Sequence, residues 1–199
     1  MMNRLGYFVT ESSEHFAEYV PWFIKKNQFD LIEKYEIPLD EYPRRCEQQI
    51  KDWETLRTEL EDPNKEIDVK PSNEYGAGII HSLETGAPRI FNGNVSNNQF
   101  ITNLPNNCCV EVPCTVDGEG IHPHKVGELP QQLVSLMQTN INVQSLVVQA
   151  VLKGKREHIY HAAMFDPHTS SELSLEKIWN LVDELFQAHG NMIPDSLRN

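Results

Sequence analysis

The sequence predicts an α+β fold that is mostly helical and carries a small β-sheet built around a hairpin. Apolar residues recur at spacings of three and four through residues 40–61 and again through residues 131–153, as in helices with one apolar face. Between these segments, residues 100–130 combine strand-favouring side chains with a central turn, which indicates a hairpin. Because helices precede and follow the sheet, the class is α+β.

Three helices are predicted in the N-terminal part of the chain. Ser12 or Ser13 can cap a short helix that reaches Tyr19. Residues 29–35 form a second helix, and Asp40 can cap a third, long one. The Asp-Pro-Asn sequence at residues 62–64 then ends the long helix, because proline cannot continue it.

The remaining elements follow from the same signals. A helix rich in small residues is predicted at residues 73–83, and a strand at 89–95. The hairpin turns at Asp117-Gly118-Glu119-Gly120, and its second strand is expected over residues 121–126. Pro130 suits the start of the next helix. The C-terminal helices are predicted at residues 131–153, 155–165 and 175–189, the last capped by Ser174.

Length and composition indicate one domain spanning residues 1–199. The formal net charge of −12 argues against nucleic-acid binding and against anionic membranes, which both need a basic surface. The sequence has no run of about 20 apolar residues, so no membrane span is predicted. It also shows no secretory signal. Adjacent Cys108 and Cys109 point to opposite strand faces, so a reduced, cytoplasmic protein is expected.

Several candidate sites have ordinary structural alternatives. His122 and His124 share one face of an extended segment and could share a metal, but a solvated pair near a turn is the preferred interpretation. His158 and His161 share a helix face and could suggest a metal site with Asp166 and His168, but a polar helix face is the preferred interpretation. Free cysteines in strands are usually small core residues rather than ligands. The sequence contains neither G-x-G-x-x-G nor paired C-x-x-C spacings.

The segment at residues 14–19 gathers two carboxylates, an imidazole and a phenol among large aromatics. Tyr19 could act as a base, although a phenol with a pKa near 10 needs a nearby cation or metal for that role. The structural alternative is that these aromatics pack a core.

With these residues in view, the chain resembles the C-terminal half of α-galactosidases of glycoside hydrolase family 4. The resemblance is carried by LGYFVTESSEHFAEY followed by PWFIK at residues 5–25, by the NLP-to-LP hairpin at 103–130, by LMQTNINVQ at 136–144 and by YHAAMFDPHT at 160–169. These runs cover nearly the whole chain.

The resemblance implies an unusual hydrolysis of α-galactosides such as melibiose. NAD⁺ takes hydride from C3 of the sugar, a divalent metal (usually manganese) polarises the C2 and C3 oxygens, and a tyrosine removes the C2 proton. The glycosidic bond then breaks by elimination, an exception to two-carboxylate hydrolysis. The Gly-rich NAD⁺ half and the metal ligands belong upstream of residue 1 in the family, so no ligand for either cofactor is expected within this chain.

The resemblance also assigns roles to individual residues. Tyr19 matches the base, with Tyr7 as a competitor. His15 and Glu18 are expected to contact substrate or to support the residues that do. The amide of Asn103 could contact sugar hydroxyls or brace its turn, and bracing is the favoured interpretation.

Two hypotheses remain open on the sequence. In the first, the chain is part of an α-galactosidase that is inactive until its N-terminal half is supplied. In the second, it is a non-catalytic remnant or an oligomerisation domain, in which the stripe at residues 133–150 forms a core or an interface. An independent metal-binding module using the histidines and cysteines is the weakest alternative.

Overall fold

The structure is a computed structural model that describes residues 1–9, 13–66 and 70–198, without the side chains of residues 13 and 14. Helices dominate these residues, and a three-stranded antiparallel sheet lies at the middle of the chain, which confirms the α+β class. The helices are α1 (Met2–Leu5), α2 (Ser13–Tyr19), α3 (Phe29–Lys34), α4 (Glu41–Glu61), α5 (Gly76–Thr85), α6 (Gln131–Lys153), α7 (Glu157–Phe165), α8 (Pro167–Glu172), α9 (Leu175–His189) and α10 (Asp195–Arg198). A 3₁₀ turn at Gly190–Met192 precedes α10.

The sheet has the order β1-β2-β3, with β1 at Arg89–Ser96, β2 at Cys109–Asp117 and β3 at Gly120–Pro123. Strand β2 alternates between buried positions and exposed or half-buried ones, because successive side chains of a strand point to opposite faces. Its buried side chains are Val110, Val112, Cys114 and Val116. The inner face of the sheet is therefore apolar.

Two apolar clusters hold the chain together. The first packs the inner face of β2 against the loop after β1 and against the start of α6; its buried members are Ile101, Leu104, Val110, Val112, Cys114 and Val134. The second lies among the C-terminal helices and contains Ala150, Ala162, Ile178, Val182 and Leu197. Helix α6 contributes to both, so its apolar stripe serves as core along part of its length.

The turn after β1 is organised by one fully buried amide, that of Asn97. Its Nδ2 lies 2.8 Å from the main-chain oxygen of Ile101 and 3.0 Å from those of Leu104 and Pro105. Its Oδ1 accepts a hydrogen bond of 2.8 Å from the N–H of Ile101. The turn predicted at residues 96–98 is confirmed, but the side chain of Asn97 is inside the protein.

Helix α2 and the residues after it form an arm that packs on the C-terminal helices. Phe16, Ala17 and Val20 are buried. Beyond them, Glu172 at the end of α8 accepts a 3.0 Å hydrogen bond from the N–H of Lys26 and pairs with Nζ of Lys25 at 3.2 Å. The contact between Lys26 and Glu172 joins residues that are 146 positions apart in the chain.

The predicted helices and strands are present, with some shifted ends. The bounds of α6 and α9 are those predicted, and Ser174 precedes α9 without a side-chain capping bond. The helix predicted at 73–83 runs from Gly76 to Thr85, and the one predicted at 155–165 begins at Glu157. Ser12 lies outside the described residues.

Some details of the prediction were wrong. Asp40 occupies the predicted N-cap position of α4, but its backbone is left-handed (φ 57°) and its side chain makes no capping bond. The second hairpin strand ends at Pro123 rather than at residue 126, because the N–H groups of Val126 and Gly127 turn to the main-chain oxygen of Phe100. The short helices α1, α8 and α10 were not predicted; Asp166 caps α8 by accepting a 2.6 Å bond from the N–H of Thr169.

Among the helices of the described segments, none combines the length and the apolar character that crossing a bilayer requires.

We expect Asn97→Ala to lower the free energy of unfolding by roughly 2–4 kcal/mol, because it leaves several buried main-chain groups without a partner. Urea unfolding followed by circular dichroism measures the change. The matched control is Asn94→Ala, an exposed residue of β1 whose loss should cost less than about 0.5 kcal/mol. Equal losses in the two variants would contradict the bracing role of Asn97.

The contacts of Glu172 predict a pH-dependent anchoring of the arm. The hydrogen bond from the N–H of Lys26, and then the bond and charge of Lys25, lower the pKa of Glu172 below the ordinary value of a glutamate. A lowered folded-state pKa stabilises the fold above the unfolded-state pKa of about 4.3, and this contribution is lost as the pH falls through the folded-state pKa. Glu172→Gln should therefore be less stable than the parent at pH 7, and the difference should vanish in acid. A difference that is independent of pH would contradict the charge-based anchor.

Candidate functional site

The main candidate site is a cavity of about 410 Å³ between the arm, strand β2 and helix α6. Phe16 and Val20 form its wall on the arm, Ile101 and Leu104 come from the loop organised by Asn97, and Leu136 comes from α6. Its size falls within the range of roughly 300–1,000 Å³ typical of small-molecule sites. The apolar walls and few polar groups are also typical of such sites.

Tyr19 lines this cavity at the last residue of α2. The neighbouring buried residues Ala17 and Val20 fix the helix end, while the Tyr19 side chain remains 54% exposed. Within the described part of the chain its hydroxyl has no hydrogen-bond partner. A tyrosine on an anchored backbone with an unused hydroxyl can donate or accept a hydrogen bond to a ligand in the cavity.

Three further polar side chains line the same cavity, and sequence reasoning did not select them: Glu111, Asn140 and Gln144. Glu111 lies on the outer face of β2. Asn140 and Gln144 are four residues apart, so they lie on one face of α6. The sequence feature that could have indicated Asn140 and Gln144 is the composition of residues 131–152, which contain no charged side chain but many amides and hydroxyls.

A second cavity, of about 320 Å³, continues from the first along α6. Cys109, Ile141 and Gln144 line both. None of the residues lining the second cavity carries a charged side chain, and its polar groups are Asn107, Gln138, Asn142, Gln144, Ser145 and Gln149. Uncharged donors and acceptors of this kind suit a neutral ligand with many hydroxyls better than an ion.

His15 and Glu18 lie beside the Tyr19 cavity on α2 but do not line it. The Nδ1 of His15 is 3.4 Å from Oε2 of Glu18, and both side chains are substantially exposed, at 44% and 58%. The structure therefore brings these two predicted residues to each other and to the same helix as Tyr19. Tyr7, the competing base, is 45% exposed and does not line the cavity either.

Both the nitrogen and the oxygen of the Asn103 amide form hydrogen bonds with the main chain of Leu129. Its Nδ2 donates to the main-chain oxygen of Leu129 at 2.8 Å, and its Oδ1 accepts from the N–H of Leu129 at 3.0 Å. These bonds close the base of the hairpin just before α6, which supports the bracing interpretation. Asn103 does not line the Tyr19 cavity.

The histidines considered as metal ligands have other partners. His122 lies 3.2 Å from Oδ1 of Asp117, and His124 lies 2.7 Å from the hydroxyl of Thr115. His158 and His161 face each other with their Nδ1 atoms 3.3 Å apart. In the ranges 1–9, 13–66 and 70–198, no three His, Cys, Asp or Glu side chains converge to hold a metal ion. The described residues therefore do not fit a metal site of their own.

The four cysteines are free. Cys114 is buried in the core and its thiol donates to the main-chain oxygen of Val112 at 3.3 Å. Burial raises the pKa of the Cys108 thiol. Cys109 is exposed and lines both cavities. Cys108 precedes β2 rather than lying in it, and both Cys108 and Cys109 line the second cavity, so the predicted opposite strand faces do not apply to this pair.

Comparison with known proteins identifies the architecture. Residues 1–169 match the family model "Family 4 glycosyl hydrolase C-terminal domain". The chain is 50% identical to an α-galactosidase of Bacillus subtilis over 98% of its own length, and 30% identical to one of Rhizobium meliloti over 98%. These alignments cover 45% and 41% of the two relatives, so the chain spans less than half the length of the curated proteins it matches.

Solved structures share the fold. The lplD protein of Bacillus subtilis superimposes with a TM-score of 0.77 over 92% of this chain and 41% of its own, at 22% identity. A 6-phospho-β-glucosidase of Thermotoga maritima, solved with NAD and glucose-6-phosphate, gives a TM-score of 0.67 over 90% of this chain and 42% of its own, at 21% identity. These structures show the shared fold, and the family-model match together with the 50% identity shows that this chain belongs to the family 4 glycosyl hydrolase C-terminal domain family.

Proposed function

We propose that this chain is the C-terminal part of an α-galactosidase that hydrolyses α-galactosides such as melibiose. The observation that carries the proposal is the 50% identity to the Bacillus subtilis α-galactosidase across nearly all of this chain. The Rhizobium meliloti relative has the same named activity. We further propose that the chain is a single domain and that it works in the cytoplasm, where its four free cysteines would stay reduced.

The proposal includes NAD and manganese as cofactors of the complete enzyme. A related 6-phospho-β-glucosidase of Thermotoga maritima was solved with manganese, NAD⁺ and glucose-6-phosphate. The described residues of this chain contain neither a three-ligand metal group nor a dinucleotide-binding glycine motif. Both cofactors are therefore assigned to an N-terminal half, and the role of this chain is to complete the sugar site.

Within that site, the phenolate oxygen of Tyr19 is proposed to accept the proton that leaves C2 of the sugar, with the cation that a phenolate needs supplied by the complete enzyme. Its position supports this role, because the side chain lines an apolar-walled cavity and its backbone is fixed by buried neighbours. His15 and Glu18, one turn or less away on α2, are proposed to support Tyr19 or to contact the sugar. Asn103 is proposed to brace its turn rather than to contact the sugar, since both ends of its amide are bonded to Leu129.

The two connected cavities suit a substrate with two sugar units. The galactosyl unit would lie beside Tyr19, and the leaving sugar would extend along the uncharged groove of α6. Asn140 and Gln144 present amides that can bond sugar hydroxyls. The lack of charged groups in the second cavity favours an unphosphorylated leaving group, because a phosphate would need cationic or main-chain N–H partners.

Tyr19→Phe should abolish turnover while leaving the fold intact. The chain is co-expressed with the N-terminal half of the Bacillus subtilis relative, and cleavage of an aryl α-galactoside is measured with NAD⁺, manganese and reductant. Loss of a general base should lower kcat by about 10²–10⁴-fold. Cofactor binding by the assembled pair should not change.

Tyr7→Phe is the matched comparison, because it removes the hydroxyl of the competing tyrosine outside the cavity. Near-normal activity in Tyr19→Phe, or a larger loss in Tyr7→Phe, would reject Tyr19 as the base. If the unmodified pair assembles and binds its cofactors but cleaves no α-galactoside, the proposed activity itself fails.

Gln144→Ala should reduce kcat/KM for melibiose by about 5–20-fold, the effect expected from losing one or two neutral hydrogen bonds. The residue is chosen because it lines both cavities. The control is Gln131→Ala at the exposed start of the same helix. Equal kinetics in the two variants would show that the α6 groove does not contact substrate.

A further inference from the structure

Helix α4 is long and has no buried residue. It spans 21 residues, Glu41–Glu61, yet its large apolar side chains face solvent. Tyr42 is 78% exposed, Ile50 66% and Trp53 60%. In proteins most of the stability of a helix comes from packing of its apolar face, yet α4 buries none of its residues against the described chain.

The exposed apolar residues of α4 form one continuous stripe. Their positions advance by three or four residues, which keeps them within an arc of roughly 120° on a helix with 3.6 residues per turn. The stripe is about 27 Å long at 1.5 Å per residue. Its members are Tyr42, Cys46, Ile50, Trp53, Leu56 and Leu60. A stripe of this size on a helix surface is typical of an interaction site.

The charges of α4 indicate what covers the stripe. Residues 41–51 carry three basic and two acidic side chains, whereas residues 52–62 carry five acidic and one basic. A parallel copy would place the acidic halves together, while an antiparallel copy would place each acidic half beside the more basic one. The charge distribution of α4 is thus complementary to itself in the antiparallel direction.

We propose that α4 docks against α4 of a second copy of this chain, antiparallel and across a two-fold axis near residue 51. Such a contact uses the same patch on both subunits. With this centre, Tyr42 of each copy lies level with Leu60 of the other, and Cys46 lies level with Leu56, so apolar side chains meet along the whole stripe.

The flanks of the stripe fit the same arrangement. Arg45 near one end and Glu59 near the other lie on the same flank, and the antiparallel register places them at nearly the same level across the interface. In the single chain, Glu59 pairs with Nζ of Lys65 at 2.6 Å, and both side chains are nearly half exposed. An exposed pair of this kind contributes little and can be exchanged at low cost.

Dimerisation is tested on the full chain by sedimentation velocity over a range of protein concentrations. The chain should be a dimer, and Ile50→Lys should weaken dimerisation by at least about tenfold, because it places a charge in the stripe. Thr58→Lys adds the same charge on the opposite side of α4 and should leave the dimer intact. A monomer at all concentrations, or equal effects of the two variants, would overturn the proposal.

The orientation is tested by cross-linking in a Cys46→Ser background. Chains with Tyr42→Cys are mixed with chains with Leu60→Cys and oxidised, and the products are identified by mass spectrometry. Antiparallel docking predicts disulfides between residue 42 of one chain and residue 60 of another. Residues 42 of the two copies would be about 27 Å apart, beyond the roughly 7 Å between Cα atoms that a disulfide can span.

Disulfides between identical positions would instead show parallel packing and overturn the proposal. A second result would also overturn the proposal: the chain is monomeric alone, and α4 becomes protected from hydrogen exchange only after the N-terminal half is added. The stripe would then be covered by that half. None of these readouts depends on catalytic activity, so they remain informative if the proposed hydrolysis fails.

Discussion

The burial of the Asn97 amide is the constraint on which the central part of the structure depends. Its hydrogen bonds hold the loop after β1 in a shape that turns Ile101 and Leu104 inward. Both residues belong to the core under the sheet, and both form walls of the Tyr19 cavity. One polar side chain inside an apolar core therefore determines the shape of the loop that links the fold to the candidate site.

The arm depends on contacts with distant parts of the chain. Phe16, Ala17 and Val20 bury its inner surface, and Phe23 adds edge-to-face contacts with Phe16 and Tyr35 at ring separations of 6.0 and 5.2 Å. Glu172 then ties the following residues to α8. Tyr19 is consequently exposed at its tip but rigid at its base, as a residue that must meet a ligand in a defined position requires.

Much of the fold could be predicted from local patterns, because apolar stripes and Gly or Pro boundaries are formed by residues that are close together in the sequence. Helix α6 and helix α9 are the clearest cases. Helix α8 could not be predicted, since its six residues are mostly polar and its Asp-Pro start is also a common helix stop. Asn97 reads as an ordinary turn residue, because nothing near it in sequence shows that its amide is enclosed.

The candidate site was only partly predictable for a related reason. Tyr19 could be selected because it stands in an unusual aromatic segment that resembles a known family. Glu111 and Gln144 are brought beside it by tertiary packing across 92 and 125 residues, so no local pattern connects them. The predicted pair His15 and Glu18 does lie together, but beside the cavity rather than in its wall.

The unequal environments of the cysteines make the reactivity of one thiol, that of Cys109, a measure of whether the cavities are occupied. Cys109 is exposed in the wall shared by the two cavities, Cys114 is buried, and burial raises the pKa of the Cys108 thiol, which lowers its reactivity near neutral pH. A small alkylating reagent should therefore modify Cys109 before its neighbours in the hairpin. A sugar lying across the two cavities would shield that thiol, so the rate of alkylation becomes a direct measure of occupancy, without a label and without turnover.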